Sequence, residues 1–290
     1  MRIISELDNS EKKWWKAQIK DFRSKSISSP AEHTSNWMKD MKYSKLEIES
    51  DFDNFIYQSR VNIYKSYLEE EADFHKEILN FLSESRDLPK TILEEIIAEN
   101  MISNSINDQN TVKDISRIVG EYTGRIFPYI YELCLSSSNS RRARAGQTFE
   151  QIIEKIFDIF EIPYNTQAEI SASKHNLGKK VDCIIPNVKS YEEMRQKCGI
   201  VTMKTTLRER WQEVAEELTR TNVPSIFLLT IDENITEETV KTMSEYNIIL
   251  VLYGSSKRNK FSNYKNVMEF SKFFLEEVPS IVSWWAKNEN

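Results

Sequence analysis

Asp182, Lys204, Glu217 and Glu150 are the residues of this 290-residue chain whose types and settings could do chemistry. Asp182 stands in K-K-V-D-C-I-I-P, where an acid among apolar neighbours is costly unless paired, solvated or bound to a metal. Val181 and Cys183 are expected to point away from it, because side chains alternate across a strand. Lys204 closes G-I-V-T-M-K, with Ile200 and Thr202 on its own side. The connection between the two segments is short enough to make them neighbours, so the charges could simply form a structural ion pair. Glu217 lies at the edge of the apolar stripe Trp211, Val214, Ala215 and Leu218, and Glu150 lies beside Phe149 at the start of an earlier helix. Glutamates so placed are commonly solvated. Taken together, however, three carboxylates and a lysine are the groups of a Mg²⁺-dependent nuclease. The acids offer hard oxygen ligands, the cation polarises a phosphate and acidifies a water, and the lysine steadies charge developing on the phosphate oxygens.

Competing chemistries lack their residues. The sequence has no GxxxxGK[ST], GxGxxG, HExxH or GxSxG. His33, His75 and His175 have no credible nucleophile beside them. Cys134, Cys183 and Cys198 show no CxxC spacing, so neither a zinc site nor a disulfide framework is indicated.

A net charge of −6 argues against a uniformly basic DNA-coating protein, but local patches set the field a phosphate feels. Two patches stand out: Arg141, Arg142 and Arg144, and the acid-free run holding Lys257, Arg258, Lys260 and Lys265. Either could be no more than a solvated loop. No apolar run approaches the ~20 residues that span a bilayer, and the N-terminus has no secretory signature. A reduced, cytoplasmic protein without membrane contacts is expected. Its lysine-, asparagine- and isoleucine-rich usage hints at an AT-rich bacterial genome.

Stepping from these residues to the elements that must hold them, the first 105 residues have helical spacing and little strand character. The serines at 135–140 read as a loop. Phe149, Ile152, Ile153, Ile156, Phe157 and Phe160 form an amphipathic stripe ending near Pro163. Strands are expected at 166–171, 179–186, 199–205, 224–230 and 247–253, with helices over 206–220, across I-T-E-E-T-V-K-T-M-S-E-Y, and over 266–285. The continuous apolar runs suit strands covered on both faces. The fold class is α/β, a mixed central sheet flanked by helices. The expected division is a helical region at 1–105, for DNA contacts or dimerisation, and a catalytic domain at 106–290.

V-D-C-I-I-P followed by V-T-M-K-T-T-L-R-E-R-W-Q-E-V-A-E-E resembles the active-site and recognition region of the EcoRII, SsoII and PspGI group of restriction endonucleases, within the PD-(D/E)xK superfamily. That group carries its second acid on the helix after the lysine. Here Thr202 stands two before Lys204, and Glu217 lies on the following helix. R-R-A-R-A-G-Q-T-F-E is similar to the group's Arg-Ala-Gly segment, which leads into an acid matching Glu150. Val181 departs from the superfamily's proline. The resemblance covers about 140–230.

It implies that Asp182 and Glu217 bind Mg²⁺, that Glu150 binds a metal or metal-bound water, and that Lys204 assists the attacking water. Arg208, Glu209 and Arg210 match the segment that reads CC/GG, in keeping with arginine donating to guanine O6/N7 and glutamate accepting from cytosine N4. Thr206 with Glu209 would alternatively make a helix capping box. Arg141, Arg142 and Arg144 are expected on the DNA backbone. Some members of the group unstack a base, for which Arg60, Tyr64 and Trp37 are the aromatic and cationic candidates. The implied protein is a type II site-specific deoxyribonuclease leaving 5′-phosphate and 3′-hydroxyl ends. It would act as a homodimer on a palindrome, beside a DNA methyltransferase acting on the same site. A structure- or damage-specific repair endonuclease of the same fold, or a catalytically silent DNA-binding protein, are the alternatives.

Overall fold

The computed structural model describes residues 2–103, 111–172, 181–208, 211–221 and 223–288, without the side chains of 100–103, 111 and 217–221. The chain opens with seven helices: α1 (Asn9–Ser26), α2 (Pro30–Met41), α3 (Lys45–Ser50), α4 (Phe52–Ser85), α5 (Asp87–Ser103), α6 (Thr111–Arg125) and α7 (Phe127–Ile159). It continues as β1 (Asn165–Thr166), α8 (Gln167–Ala172), β2 (Cys183–Ile185), α9 (Val188–Met194), β3 (Gly199–Lys204), α10 (Trp211–Thr221) and β4 (Ile226–Thr230). Then come α11 (Glu237–Glu245), β5 (Ile248–Leu252), α12 (Gly254–Lys260), β6 (Val267–Glu269), α13 (Phe270–Lys272) and α14 (Val278–Asn288).

Two compact units result, one of Met1–Ser29 with Tyr64–Arg144, the other of Pro30–Ile63 with Ala145–Asn290. This differs from a single boundary near residue 105, and packing explains why. Ile126, Tyr129 and Leu133 join Trp15, Phe74 and Ile78 in the core of the helical unit. Ile48, Phe52, Phe55 and Ile56 instead join Phe149, Ile153 and Phe157 in the core of the sheet-bearing unit. Apolar residues, not sequence order, decide which core each segment completes.

The serines at 135–140 do not form a loop; α7 runs through them. The hydroxyls of Ser136 and Ser137 are met from neighbouring helices of the same unit. Arg23 donates to Ser136 at 2.8 Å, and His75 shares a 2.8 Å hydrogen bond with Ser137. Serine in mid-helix is tolerated when such partners exist.

In the second unit the six strands follow one another in chain order across a single sheet. β1, β2 and β3 pair antiparallel, and β3 to β6 pair parallel through helical crossovers. Alternation sends Val201, Met203, Phe227 and Leu229 to one face and Ile200, Ile226 and Leu228 to the other. The expected strand at 166–171 shortens to β1, because Glu169 accepts from both the amide (2.7 Å) and the hydroxyl (3.1 Å) of Thr166 and starts α8 instead. The helix expected over 266–285 begins with β6, whose three residues extend the parallel ladder from β5. Of the helix expected over 206–220, the described residues show α10, Trp211–Thr221. Residues 179 and 180 lie outside the described part, as does His175.

Phe157 is fully buried and touches the rings of Tyr164 and Phe274. Phe157→Ala is expected to cost about 3–5 kcal/mol, read from urea unfolding; a loss under about 1 kcal/mol would mean that this core is not packed as described.

Candidate active site

Asp182 immediately precedes β2 and is already laddered to β3, its amide donating to the Val201 carbonyl at 3.0 Å. Val181 and Cys183 pack on opposite faces of the sheet, so strict alternation does not hold across Asp182. The Asp182 Oδ2 accepts from the Met203 amide at 2.6 Å and from the Thr202 hydroxyl at 3.2 Å. Lys204, at the end of β3, brings Nζ to 3.7 Å from the same oxygen and donates to Thr202 Oγ1 at 3.4 Å. Both side chains are only 12% exposed. Burial pushes the Asp182 carboxyl up, against the pull of Lys204 and the two hydrogen bonds.

Glu150 comes to the same place from α7, whose stripe Phe149, Ile152, Ile153 and Ile156 is buried in the sheet-facing core. Its carboxyl is pushed up to about 7, first by burial and then by the charge of Asp182, with Lys204 opposing. Sequence reading missed Glu154, one turn further along α7, which the Gln151 amide meets at 2.8 Å. Its carboxyl is also raised, chiefly by burial, with a smaller contribution from Asp182. The i, i+4 spacing from Glu150 was the available signal. Glu217 lies within α10, which buries Val214 and Ala215, but its side chain is outside the described residues.

Among the described residues no three acid, histidine or cysteine side chains converge closely enough to hold a metal ion as they stand. In donor type the site nevertheless suits a hard divalent cation. Asp182 and Glu150 are oxygen donors whose charged forms are disfavoured by burial, as that of Glu150 is by Asp182. A cation would relieve both effects.

The segment after Lys204 is not a capped helix start. Arg208 has φ +36°, incompatible with the second residue of a right-handed helix, so Thr206 cannot be its N-cap. Arg208 is exposed and Leu207 buried; Glu209 and Arg210 lie outside the described residues.

The basic patches are partly consumed internally. Arg141 binds Glu71, with Nε at 2.8 Å, and Arg144 donates to the Ser28 carbonyl at 2.6 Å above the Tyr67 ring. Arg142 stays exposed, 3.0 Å from Asn139. Lys257 closes the end of α12 by donating to the carbonyls of Phe261, Ser262 and Tyr264. Lys260 donates to Glu233, and Arg258 faces Glu269. Lys265 is exposed. Trp37 donates to Ser59 at 3.0 Å and packs on the core. Arg60 is half-buried, its charge acting on the Tyr253 hydroxyl. Tyr64 is 47% exposed and stacks on Tyr67.

Residues 109–274 match the EcoRII C-terminal family. The type II restriction enzyme SsoII of Shigella sonnei is 36% identical over 182 residues, 61% of this chain and 60% of that enzyme. The type II restriction enzyme EcoRII of Escherichia coli is 25% identical over 126 residues, 42% of this chain and 30% of that enzyme. The match thus spans less than two thirds of either curated relative. Metal-depleted Ecl18kI in complex with uncleaved DNA superposes with a TM-score of 0.75 at 26% identity, covering 94% of this chain and 86% of that one. A PspGI–substrate DNA complex, at 16% identity and TM-score 0.51, covers 89% and 94% and shows the shared fold. No helix among the described residues is long and apolar enough to cross a membrane.

The raised carboxyl of Glu150 has a signed consequence. Between the ordinary carboxylate range and about pH 7 the folded protein holds a proton that the unfolded chain has lost. Stability is therefore fullest below that window and falls as pH rises through it. In chelator, Glu150→Gln is expected to flatten this decline between about pH 5 and about pH 8, leaving the slopes due to Asp182 and Glu154. Parallel urea-unfolding profiles for the two proteins would remove Glu150 from the charge cluster.

Proposed function

The chain belongs to the EcoRII C-terminal family, and from that premise we propose that it is a type II restriction endonuclease. Its substrate is double-stranded DNA carrying a short palindrome that contains CC/GG, of the CCNGG, CCWGG or CCGG kind. The observation that carries the reading is the nearly buried Asp182–Lys204 pair where β2 begins and β3 ends, inside an α/β sheet, with the raised Glu150 carboxyl within reach of its charges. A structural ion pair alone leaves the third acid unexplained.

Asp182, Glu150 and Glu217 would hold Mg²⁺, which supplies positive charge to the scissile phosphate and acidifies the attacking water. Lys204 donates to that water or to a non-bridging phosphate oxygen. The Met203 amide and Thr202 hydroxyl fix Asp182, so the carboxylate does not have to reorganise as charge develops. Attack at phosphorus breaks the bond to the 3′ oxygen, which leaves as a hydroxyl after taking a proton, and the 5′ end keeps the phosphate. Arg208 and Arg210 read guanine and Glu209 reads cytosine in the major groove. Arg142 suits a backbone phosphate, while Arg141 and Arg144 stiffen the helix that presents it. Tyr64, with its exposed ring, is the aromatic best placed to stack on an unstacked base, whereas Trp37 is committed to the core and Arg60 is half-buried. A two-fold homodimer would meet the palindrome, one site per strand. The cell would then be a bacterial cytoplasm in which a DNA methyltransferase protects the same sequence.

Digestion of phage lambda DNA in Mg²⁺, with the fragment ends sequenced, tests the reading. Discrete fragments sharing a CC/GG palindrome are expected. Preference for forked over linear duplexes would instead indicate a repair nuclease, and folded protein that binds without cutting would indicate a silent binder. Asp182→Ala is expected to abolish cleavage and to keep specific binding in Ca²⁺; full cleavage by that variant would refute the assignment. Glu209→Ala should weaken CC/GG binding by roughly tenfold or more relative to random duplex, and an equal loss on both would exclude base reading by Glu209.

A further inference from the structure

We infer that Asp232 is a positioning residue for DNA discrimination, tying the reading segment to the strand beside the catalytic lysine. This deepens the reading above and rests on it. Lys204 is fixed by the β3–β4 ladder, where it stands opposite Thr230. Asp232 follows two residues later, its amide donating to Thr230 Oγ1 at 3.1 Å. One carboxylate oxygen, Oδ1, accepts from the Asn234 amide at 2.9 Å and closes a turn around Asp232. The other, Oδ2, crosses to the connection after β3 and accepts from the Leu207 amide at 2.8 Å. The carboxylate is therefore a bridge between the end of β4 and the loop leaving Lys204.

Leu207 is held a second time, since its side chain is buried among Val214, Ile235 and their neighbours. Arg208 follows at once, with φ +36° and its side chain exposed. A left-handed backbone at a non-glycine residue is unfavourable and persists where the surroundings over-determine it. The two anchors on Leu207 supply that determination. They hold Arg208 at a fixed offset from Lys204, so base reading and phosphate chemistry share one frame. Removing the bridge should loosen where Arg208 points while leaving the sheet and Lys204 in place.

The test compares wild type with Asp232→Ala and Asp232→Asn, using a CC/GG duplex and a scrambled duplex in Ca²⁺. Asp232→Ala is expected to lose roughly tenfold of the discrimination ratio, with thermal unfolding little changed. Asp232→Asn has one acceptor oxygen for the two amides of Leu207 and Asn234, so its discrimination should fall between that of wild type and that of Asp232→Ala. In Arg208→Ala protein, adding Asp232→Ala should lower discrimination little further, because the bridge acts through the arginine. Hydrogen exchange in the unaltered protein gives a readout that needs no variant to fold: the Leu207 amide should be protected although it lies in a loop. Full discrimination by Asp232→Ala, or fast exchange at Leu207, would each overturn the inference. If wild type itself shows no preference for CC/GG, the functional reading has failed, an outcome distinct from equal preference in wild type and variant.

Discussion

Two opposite charges, 12% exposed and 3.7 Å apart, set the terms for the sheet-bearing unit. Their gross attraction is about 4 kcal/mol at an effective dielectric near 20, while withdrawing each ion from water costs several kcal/mol. Attraction alone does not offset that cost. The remainder comes from donors fixed in the backbone and side chains of β3, the Met203 amide and the Thr202 hydroxyl, which stay in place only while the β2–β3 ladder holds. The two apolar faces of the sheet, with Phe149 and Ile153 on one and Ile200 and Leu228 on the other, keep that ladder rigid. Placing a third acid, Glu150, in the same field adds repulsion that folding by itself has no use for. A site that carries such unfavourable charge is arranged for something positive to arrive.

Much of this was legible in the sequence, for identifiable reasons. Continuous apolar runs announced β4 and β5, because a strand covered on both faces needs no alternation. Asp182 and Lys204 were conspicuous as charges on apolar strands. What escaped was fixed by interactions that local patterns do not encode. The serines of α7 look like a loop until Arg23 and His75 arrive from distant sequence to satisfy them. The strand through Thr166 stops there because its amide and hydroxyl donate to Glu169, which belongs to the helix that follows. β6 is too short to have a period. Asp232 was invisible as well, since an acid after a strand reads as ordinary turn chemistry until its second oxygen is seen to reach Leu207.

Basic residues showed a similar limit. Composition marks where arginine and lysine cluster, but not which of them face solvent. Arg141, Arg144 and Lys257 spend their donors on a carboxylate and on main-chain carbonyls, whereas Arg142 and Lys265 remain exposed. The positive field available to a polyanion is therefore narrower than the count of cations implies. An acidic chain can still meet DNA on such terms, through a few well-placed donors.

The strand order of the sheet is the order of the chain. Each strand pairs with the one made just before it, so the sheet has no slot that must wait for a distant segment. Assembly can proceed outward from β2 and β3 as synthesis continues, with short loop closures at every step. On that course Asp182 and Lys204 are brought together early, and Asp232, which bridges to Leu207, is added only after β4. During its own birth, the molecule would close its buried ion pair before the bridge that pins the loop beyond it.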